Sequence, residues 1–286
     1  MKFRKKHKDT LPMLSMVGPI SVWLMAFLAL PLLYVIAISF MNKGAYGGVE
    51  LGFTLKNYAD ILNPTYAKVA WKSLLLAFNT SWICLLIGYP FAYFISKMSS
   101  RTKGIVLLLI MLPFWTNGLI RLNGWTNVLR DSGFVNTLLL KIGIIDTPIT
   151  MMYTNGAILF GMVYTFIPFM ILPLQTSISK LDPALTEAAQ DLGAKKIRTF
   201  LRVTLPLTVP GIFAGTIMVF IPTLGAYYIS DIMGGGNSTL LGNLIKNQFM
   251  VARNWPSGAA FSVMLIVFTL LALKIYTMLG DVEDLR

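Results

Sequence analysis

Long apolar runs alternate with shorter polar segments along the chain. The runs lie at about 13–39, 72–96, 104–127, 154–176, 207–231 and 258–279. Each is long enough for a helix to cross the hydrocarbon core of a bilayer, which takes about 20 residues. The pattern therefore predicts an all-α membrane protein with six transmembrane helices.

An even number of spans places both termini on one side of the membrane. We expect a basic tail at 1–12, a transmembrane domain at 13–279 whose polar loop occupies 177–206, and a C-terminal tail at 280–286. The N-terminal tail, the loop at 177–206 and the connection at 97–103 are all rich in Lys and Arg. Because positive charge accumulates on the inner side, both tails and this loop are predicted to be cytoplasmic.

Amphipathic patterns occur in the three connections assigned to the outer side, at Tyr58–Leu75, Phe134–Ile144 and Leu240–Phe249. The last has an apolar side formed by Leu240, Leu241, Leu244, Ile245 and Phe249. Its polar side is formed by Asn243, Lys246 and Asn247. These segments are predicted to form helices at the interface or between spans, although the first two are equally consistent with ordinary loop helices.

Composition excludes several classes of protein. Charged residues make up 13% of the chain and hydrophobic residues 56%, whereas a soluble domain has roughly 25% charged residues. The net charge of +12 comes from bases at the ends of apolar runs, which favours a membrane over nucleic acid as the partner. One cysteine, Cys84, and one histidine, His7, exclude a disulfide framework and a metal or acid–base site built on either type.

The chain also lacks a phosphate-binding loop with lysine before a hydroxyl residue. Gly234–Thr239 is rich in glycine but has no such lysine, and we interpret it as a flexible turn. If ATP drives this protein, ATP must bind to another subunit.

The stretch around Glu187–Pro206 is the longest polar stretch away from the N-terminus. Asp182 and Pro183 are a helix start signal, and Gly193 can end that helix in the left-handed conformation. A helical pattern then resumes at Ile197–Leu205, so a helix, a tight turn and a second helix are predicted.

Polar residues recur along the fifth predicted span, and a continuous helix would align them in one stripe. They are Thr216, Thr223, Tyr227, Ser230 and Asp231. A carboxylate in a span is costly unless it is paired or faces water, so Asp231 is a candidate for attracting cations. Tyr227 and Tyr228 could add cation–π contacts. The alternative is a helix end at the interface, with the tyrosines in an aromatic belt.

A second cluster lies in the third span, at Pro113–Asn117 and Arg121. It could line a path, or it could combine an interfacial tryptophan with an arginine that extends to the membrane surface.

The spacing of the polar loop resembles the signature cytoplasmic loop of bacterial ABC importer permeases. Glu187-Ala188-Ala189 is followed after three residues by Gly193, and after nine more by Val203, one residue and Leu205-Pro206. Val203 stands where that family usually has isoleucine. The resemblance implies a type I importer core in which this loop docks on an ATPase subunit. The coupling residues that it implies are Glu187, Ala188, Ala189, Gly193, Leu205 and Pro206.

Longer strings resemble the B-type permease of spermidine/putrescine ABC importers, from about Leu11 to the last span. They are Leu112–Asn117, Ile145–Pro148, Ser230–Gly235 and Gly242–Phe249. The resemblance implies a heterodimer with a C-type sister permease, two ATPase subunits and an extracytoplasmic polyamine-binding protein. It implies no cofactor in this chain, with ATP and magnesium bound by the ATPase.

The same resemblance implies a substrate path and gate formed by Trp115, Tyr227, Tyr228, Asp231 and Lys246. The family commonly has Phe-Tyr at the position of Tyr227-Tyr228. Lys246 is expected either to pair with a carboxylate such as Asp231 or to repel cations as a gate.

These expectations together describe a permease subunit in the bacterial cell membrane that imports polyamines and is not itself an enzyme. One alternative is a permease of the same family for a different small solute. Another is an ion-coupled secondary transporter, which would be expected to carry ionisable groups near the membrane midplane. A membrane-embedded enzyme would need a catalytic arrangement, and none is visible in the sequence.

Overall fold

The computed structural model describes residues 10–236 and 239–281, with side chains described for 17–236 and 239–274. Most of these residues are helical. A short antiparallel hairpin of β1 (Asn42–Lys43) and β2 (Val49–Glu50) pairs Asn42 with Glu50 and Lys43 with Val49. The predicted tails lie largely outside the described residues, as does part of the glycine-rich turn.

The helices are numbered in chain order. Those of the first half are α1 (Thr10–Leu24), α2 (Leu30–Ser39), α3 (Lys56–Ile61), α4 (Pro64–Ser96), α5 (Ser100–Met111), α6 (Gly118–Leu129) and α7 (Phe134–Lys141). Those of the second half are α8 (Asn155–Ser179), α9 (Pro183–Asp191), α10 (Lys196–Thr199), α11 (Leu205–Leu207), α12 (Val209–Gly225), α13 (Tyr227–Gly234), α14 (Leu241–Met250) and α15 (Trp255–Asp281). Met25–Ala29 and Phe200–Thr204 form π-helical turns, and Leu112–Trp115 forms a 3-10 turn.

The chain divides into two compact units. One comprises Met1–Asn63 and Ile245–Phe268, and the other comprises Pro64–Leu244 and Thr269–Arg286. In the first unit, the buried Asn57 fixes the chain after α2, because its Nδ2 donates to the carbonyls of Ser39 at 3.0 Å and Met41 at 2.9 Å. The ring of Phe40 packs beside that of Tyr58, with centroids 5.0 Å apart.

The core of the second unit is formed by α4, α8 and α12. Small residues allow these helices to approach closely, as is common between membrane helices. A Cβ added at Gly215 of α12 would lie 2.7 Å from the Sδ of Met170 in α8, and one at Gly88 of α4 would lie 3.2 Å from Cγ of the same Met170. Met170 is fully buried between the three helices.

Four helical segments are continuous, long and apolar enough to cross a membrane: Val17–Ser39, Pro64–Ser96, Asn155–Ser179 and Trp255–Lys274. Two further candidates are bent pairs, Ser100–Trp115 with Gly118–Lys141 at 92° and Lys196–Leu207 with Val209–Gly225 at 63°. The described part of the chain therefore contains up to six spans, as predicted, if each bent pair counts as one.

The third predicted span, 104–127, is not one straight helix. Thr116 and Asn117 adopt extended backbone conformations between the 3-10 turn and α6. The Asn117 Oδ1 accepts a hydrogen bond from the backbone N–H of Leu119 at 2.8 Å and caps α6. A capping residue inside an apolar run therefore starts a new helix in a different direction.

The stretch Tyr58–Leu75, in which the sequence showed short amphipathic patterns, is divided between two helices. Helix α3 ends at Ile61 and α4 begins at Pro64. α4 then continues without a break through the second predicted span to Ser96. Proline suits the first turn of a helix, because its missing N–H has no partner there.

Candidate substrate path and coupling loop

The polar loop forms the predicted helix, turn and helix. The Asp182 Oδ1 accepts a hydrogen bond from the N–H of Ala184 at 2.9 Å and caps α9, with Pro183 as the first helical residue. Gly193 has φ +85°, and the N–H of Ala194 donates to the carbonyl of Ala189 at 3.0 Å. This is a Schellman ending, in which the left-handed position favours glycine. The local prediction from Asp182, Pro183 and Gly193 is confirmed.

The second half of the loop is attached to α4 by aromatic packing. The ring of Phe200 meets those of Tyr89 and Tyr93 edge-on, with centroids 5.6 and 5.9 Å away. The Tyr89 hydroxyl is hydrogen-bonded to the Thr208 Oγ1 at 2.8 Å. The Thr208 hydroxyl in turn donates to the carbonyl of Thr204 at 3.0 Å. This part of the loop is therefore fixed to α4 by ring packing and by a hydrogen bond.

Three large apolar side chains of the loop are exposed. Leu185 is 48% exposed, Leu192 90% and Ile197 75%. Large exposed apolar residues that cluster on a polar segment indicate a surface for another protein.

The six predicted coupling residues fall on this same loop. Glu187, Ala188, Gly193 and Pro206 are exposed, whereas Ala189 and Leu205 are partly buried. Their contact with an ATPase stays a prediction.

At the opposite part of this unit, Asp231 of α13 is held by a buried asparagine. The Asn243 Nδ2 donates to the Asp231 Oδ1 at 2.6 Å and to the carbonyl of Tyr227 at 3.2 Å. The Asn243 Oδ1 accepts from the N–H of Leu240 at 3.2 Å. The sequence placed Asn243 on the polar side of an amphipathic helix, but it is 5% exposed, because these bonds satisfy its amide in the interior.

The chain around Asn243 is fixed by two further contacts. The Ser73 Oγ of α4 accepts a hydrogen bond from the N–H of Leu241 at 2.8 Å. A Cβ added at Gly242 would lie 2.8 Å from the carbonyl oxygen of Gly225, so this position requires glycine. Asp231 is thus positioned by a rigid surrounding structure.

The polar stripe predicted along 207–231 is wrong. The helix ends at Gly225, and Ala226 has a non-helical ψ of 63°, so the spacing of a single helix does not continue to α13. Thr223 and Ser230 are 2% and 1% exposed and lie in the interior of the unit. The Thr223 hydroxyl donates to the carbonyl of Val219 at 2.7 Å.

The structure brings together three of the five predicted path residues. Tyr227, Tyr228 and Asp231 share α13, with Tyr227 41% exposed. Trp115 ends the 3-10 turn and is 81% exposed. Lys246 is partly buried on α14 and belongs to the other compact unit, so its pairing with Asp231 stays a prediction.

Arg121 lies among aromatic rings next to Tyr228. Its guanidinium carbon lies 4.8 Å from the ring centre of Phe114 and 5.9 Å from that of Tyr164, distances that allow cation–π attraction. Tyr228 lies beside it, and both flank Gly118. Arg121 is partly buried. Its Nε is buried and has no hydrogen-bond partner within the described residues.

The sequence did not identify Asn243 as part of the site, and it did not predict the contacts of Arg121 with Tyr164 and Tyr228. The signal for Asn243 was weak: it is an amide next to a glycine between two leucines, Leu241 and Leu244. The contacts of Arg121 join residues from different helices, so the spacing of residues along the chain could not predict them.

Comparison with known proteins decides the family. The family model for the binding-protein-dependent transport system inner membrane component matches residues 10–281. The chain belongs to that family. It is a multi-pass inner-membrane component of a transport system, in agreement with the expectation of a permease rather than an enzyme.

Curated relatives cover nearly the whole chain. The spermidine/putrescine transport system permease protein PotB of Escherichia coli (strain K12) is 45% identical over 261 residues, 91% of this chain and 95% of that protein. The PotB protein of Haemophilus influenzae is 44% identical over 260 residues, 91% of each. The recognition of this permease family from the quoted strings is confirmed.

A solved structure supports the predicted fold. A chain in the crystal structure of a bacterial alginate ABC transporter, in complex with alginate pentasaccharide-bound periplasmic protein, superposes with a TM-score of 0.77. The match covers 96% of both chains at 17% sequence identity. The chain has the type I ABC importer permease fold, and the predicted fold class is confirmed.

Proposed function

We propose that this chain is one permease subunit of an ATP-driven importer of spermidine and putrescine. It forms half of the translocation path and couples to an ATPase through the loop at 182–206. The observation that carries the proposal is the similarity, over about nine tenths of the chain, to permeases named for spermidine and putrescine.

The chemistry of α13 supports a cationic solute. Polyamines are multiply charged ammonium chains, and the Asp231 carboxylate offers them a negative partner next to the exposed ring of Tyr227. Trp115, Tyr228 and Lys246 complete the proposed path and gate. A phosphate-bearing solute would gain nothing from Asp231.

The proposed assembly contains a C-type sister permease, two ATPase subunits that bind ATP and magnesium, and an extracytoplasmic polyamine-binding protein. Both termini and the coupling loop lie in the cytoplasm. The binding protein delivers a polyamine to the outer face, and ATP binding closes the ATPase dimer. The loop then moves α4 through the contacts of Phe200 with Tyr89 and Tyr93, and the path opens. Hydrolysis resets it.

Uptake of labelled spermidine tests this proposal. The chain is co-expressed with its sister permease, ATPase and binding protein in cells that lack their own polyamine importers. We expect energy-dependent spermidine uptake that unlabelled putrescine inhibits and that a sugar or a phosphate-bearing solute does not. Uptake of one of the latter solutes, without uptake of polyamine, would reject the substrate and favour a permease for a different small solute.

A further inference from the structure

A basic cavity lies behind the coupling loop, within the second compact unit. Its volume is about 580 Å³, and its walls come from the ends of α4 and α8, the start of α5, and the helices α9 and α10. Three lysines line it, Lys97, Lys103 and Lys196, together with one carboxylate, Asp182. Three positive charges less one negative charge leave a net charge of +2 in the walls.

Two of the lysines, Lys97 and Lys103, are held by groups that carry no charge. The Lys103 Nζ donates to the Ser179 Oγ at 3.2 Å, and the Lys97 Nζ lies 4.4 Å above the ring centre of Tyr93. The Asp182 Oδ1 accepts a hydrogen bond from the backbone N–H of Ala184. Among the described residues, the Lys97 and Lys103 ammonium groups thus contact a ring and a hydroxyl rather than carboxylates.

The cavity and the exposed apolar surface lie on different sides of α9. Pro183, Thr186 and Gln190, which are three and four residues apart, line the cavity. Leu185 and Leu192 are exposed and fall on the other side of the same helical pattern. An occupant of the cavity would therefore leave the surface proposed for the ATPase free.

We propose that this cavity binds the phosphodiester headgroup of an anionic phospholipid. The chain is an inner-membrane component, and the cavity lies at the ends of candidate spans, where headgroups are located. Basic pockets between transmembrane helices are known to bind such headgroups. Part of the cavity wall is apolar and is formed by Ile178, Leu181 and Phe200. This part suits the glycerol and the start of the acyl chains of a lipid, but it offers no partner to a free phosphate ion.

The bound headgroup would bridge the span ends to the coupling loop. Lys97 and Lys103 belong to the α4–α5 region, whereas Lys196 begins α10. A phosphate held by all three joins the loop to α4 and α5 and stiffens the connection through which the loop moves the spans. This consequence for coupling rests on the proposed function, but the binding of lipid does not.

Lipid retention by the assembled transporter tests the site. The complex is delipidated and titrated with phosphatidylglycerol, and bound lipid is counted by native mass spectrometry. Each lysine near an anionic surface contributes roughly a factor of five, so replacing Lys97, Lys103 and Lys196 with Gln is expected to weaken this binding about a hundredfold. Replacing them with Arg keeps the charge and is expected to retain the lipid.

A matched control separates the cavity from general surface charge. Lys180, Lys195 and Arg198 are exposed on the same loop and do not line the cavity, so replacing all three with Gln removes equal charge. We expect this variant to retain phosphatidylglycerol. Equal loss in both Gln variants would overturn the proposal. Displacement of the lipid by millimolar inorganic phosphate would also overturn it, in favour of a free-anion site.

The effect on coupling has a separate readout. In vesicles of phosphatidylcholine, we expect added phosphatidylglycerol to raise polyamine-stimulated ATPase activity for the parent complex and not for the Lys→Gln cavity variant. If lipid retention differs between the variants but no vesicle supports polyamine stimulation, the lipid site stands and the proposed function fails. If the parent complex is stimulated equally with and without phosphatidylglycerol, the coupling consequence is wrong.

Discussion

Asp231 illustrates how single residues create the candidate site on α13. The Asn243 amide donates to one of its carboxylate oxygens at 2.6 Å, and the same amide nitrogen is bonded to the carbonyl of Tyr227. The asparagine is buried and fully engaged, so it fixes the carboxylate without neutralising its charge. A fixed, partly exposed carboxylate suits the attraction of a cationic chain better than a mobile one, because less order is lost on binding.

Replacing Asp231 with Asn tests that charge. The amide oxygen of the new side chain can still accept the Asn243 hydrogen bond, so the local structure is expected to persist while the charge is lost. We expect kcat/KM for spermidine uptake to fall about tenfold, the size of a charge-assisted contact. Asp131→Asn, at an exposed carboxylate outside the predicted path, is the control and is expected to retain uptake. Unchanged kinetics in Asp231→Asn would remove this residue from the path.

At the scale of elements, the coupling loop is packed against α4 through Phe200 and exposes apolar side chains elsewhere. Gly193 allows the turn between α9 and α10, and no atom lies within 4 Å of a Cβ added there. Only its φ of +85° demands glycine. Substitution at Gly193 therefore changes the turn without disturbing the packing of the spans.

Gly193→Val is expected to uncouple ATP hydrolysis from transport. A β-branched residue in the left-handed region costs about 1–2 kcal/mol, which favours a different turn and changes the angle between the two helices. Membrane insertion should be normal, while spermidine transported per ATP hydrolysed should fall severalfold. Gly193→Asn, which tolerates this conformation better, is expected to retain most coupling. Full transport by Gly193→Val would count against a coupling role.

Phe200→Ala is expected to loosen the loop from α4. The half-buried ring loses its edge contacts with Tyr89 and Tyr93, at a cost of about 2 kcal/mol, below the cost for a fully buried phenylalanine. We expect faster proteolysis within the loop and weaker polyamine stimulation of the ATPase. Leu201→Ala removes a neighbouring exposed side chain and is expected to behave like the parent protein. Equal proteolysis rates in all three would show that Phe200 is not the anchor.

The sequence predicted elements whose signals are local and failed where distant contacts decide. Capping by Asp182, the start at Pro183 and the left-handed Gly193 depend on neighbouring residues, and all three are as predicted. The break at Ala226 accompanies the close approach of Gly242 to the carbonyl of Gly225, seventeen positions away. Apolar residues lie on both sides of Ala226, so the apolar pattern of 207–231 could not predict the break.

At the scale of the molecule, the second unit contains the candidate site on α13 and the candidate coupling loop on one helical core. α12 leads from the coupling loop to the break at Ala226, and α13 beyond it carries Tyr227, Tyr228 and Asp231. α4 contacts both regions, through Tyr89 and Tyr93 at the loop and through Ser73 next to Leu241. A helix that contacts both regions offers a physical route for coupling.

The most direct test of the account is the ATPase activity of the complete complex in lipid, with its binding protein present. Spermidine, putrescine, a sugar and a phosphate-bearing solute are added in turn. We predict stimulation by the two polyamines alone, and a weaker response in Asp231→Asn. Stimulation by the sugar or the phosphate-bearing solute alone would contradict the polyamine path while leaving the coupling loop in place. Activity that no solute and no binding protein can change would contradict the importer itself.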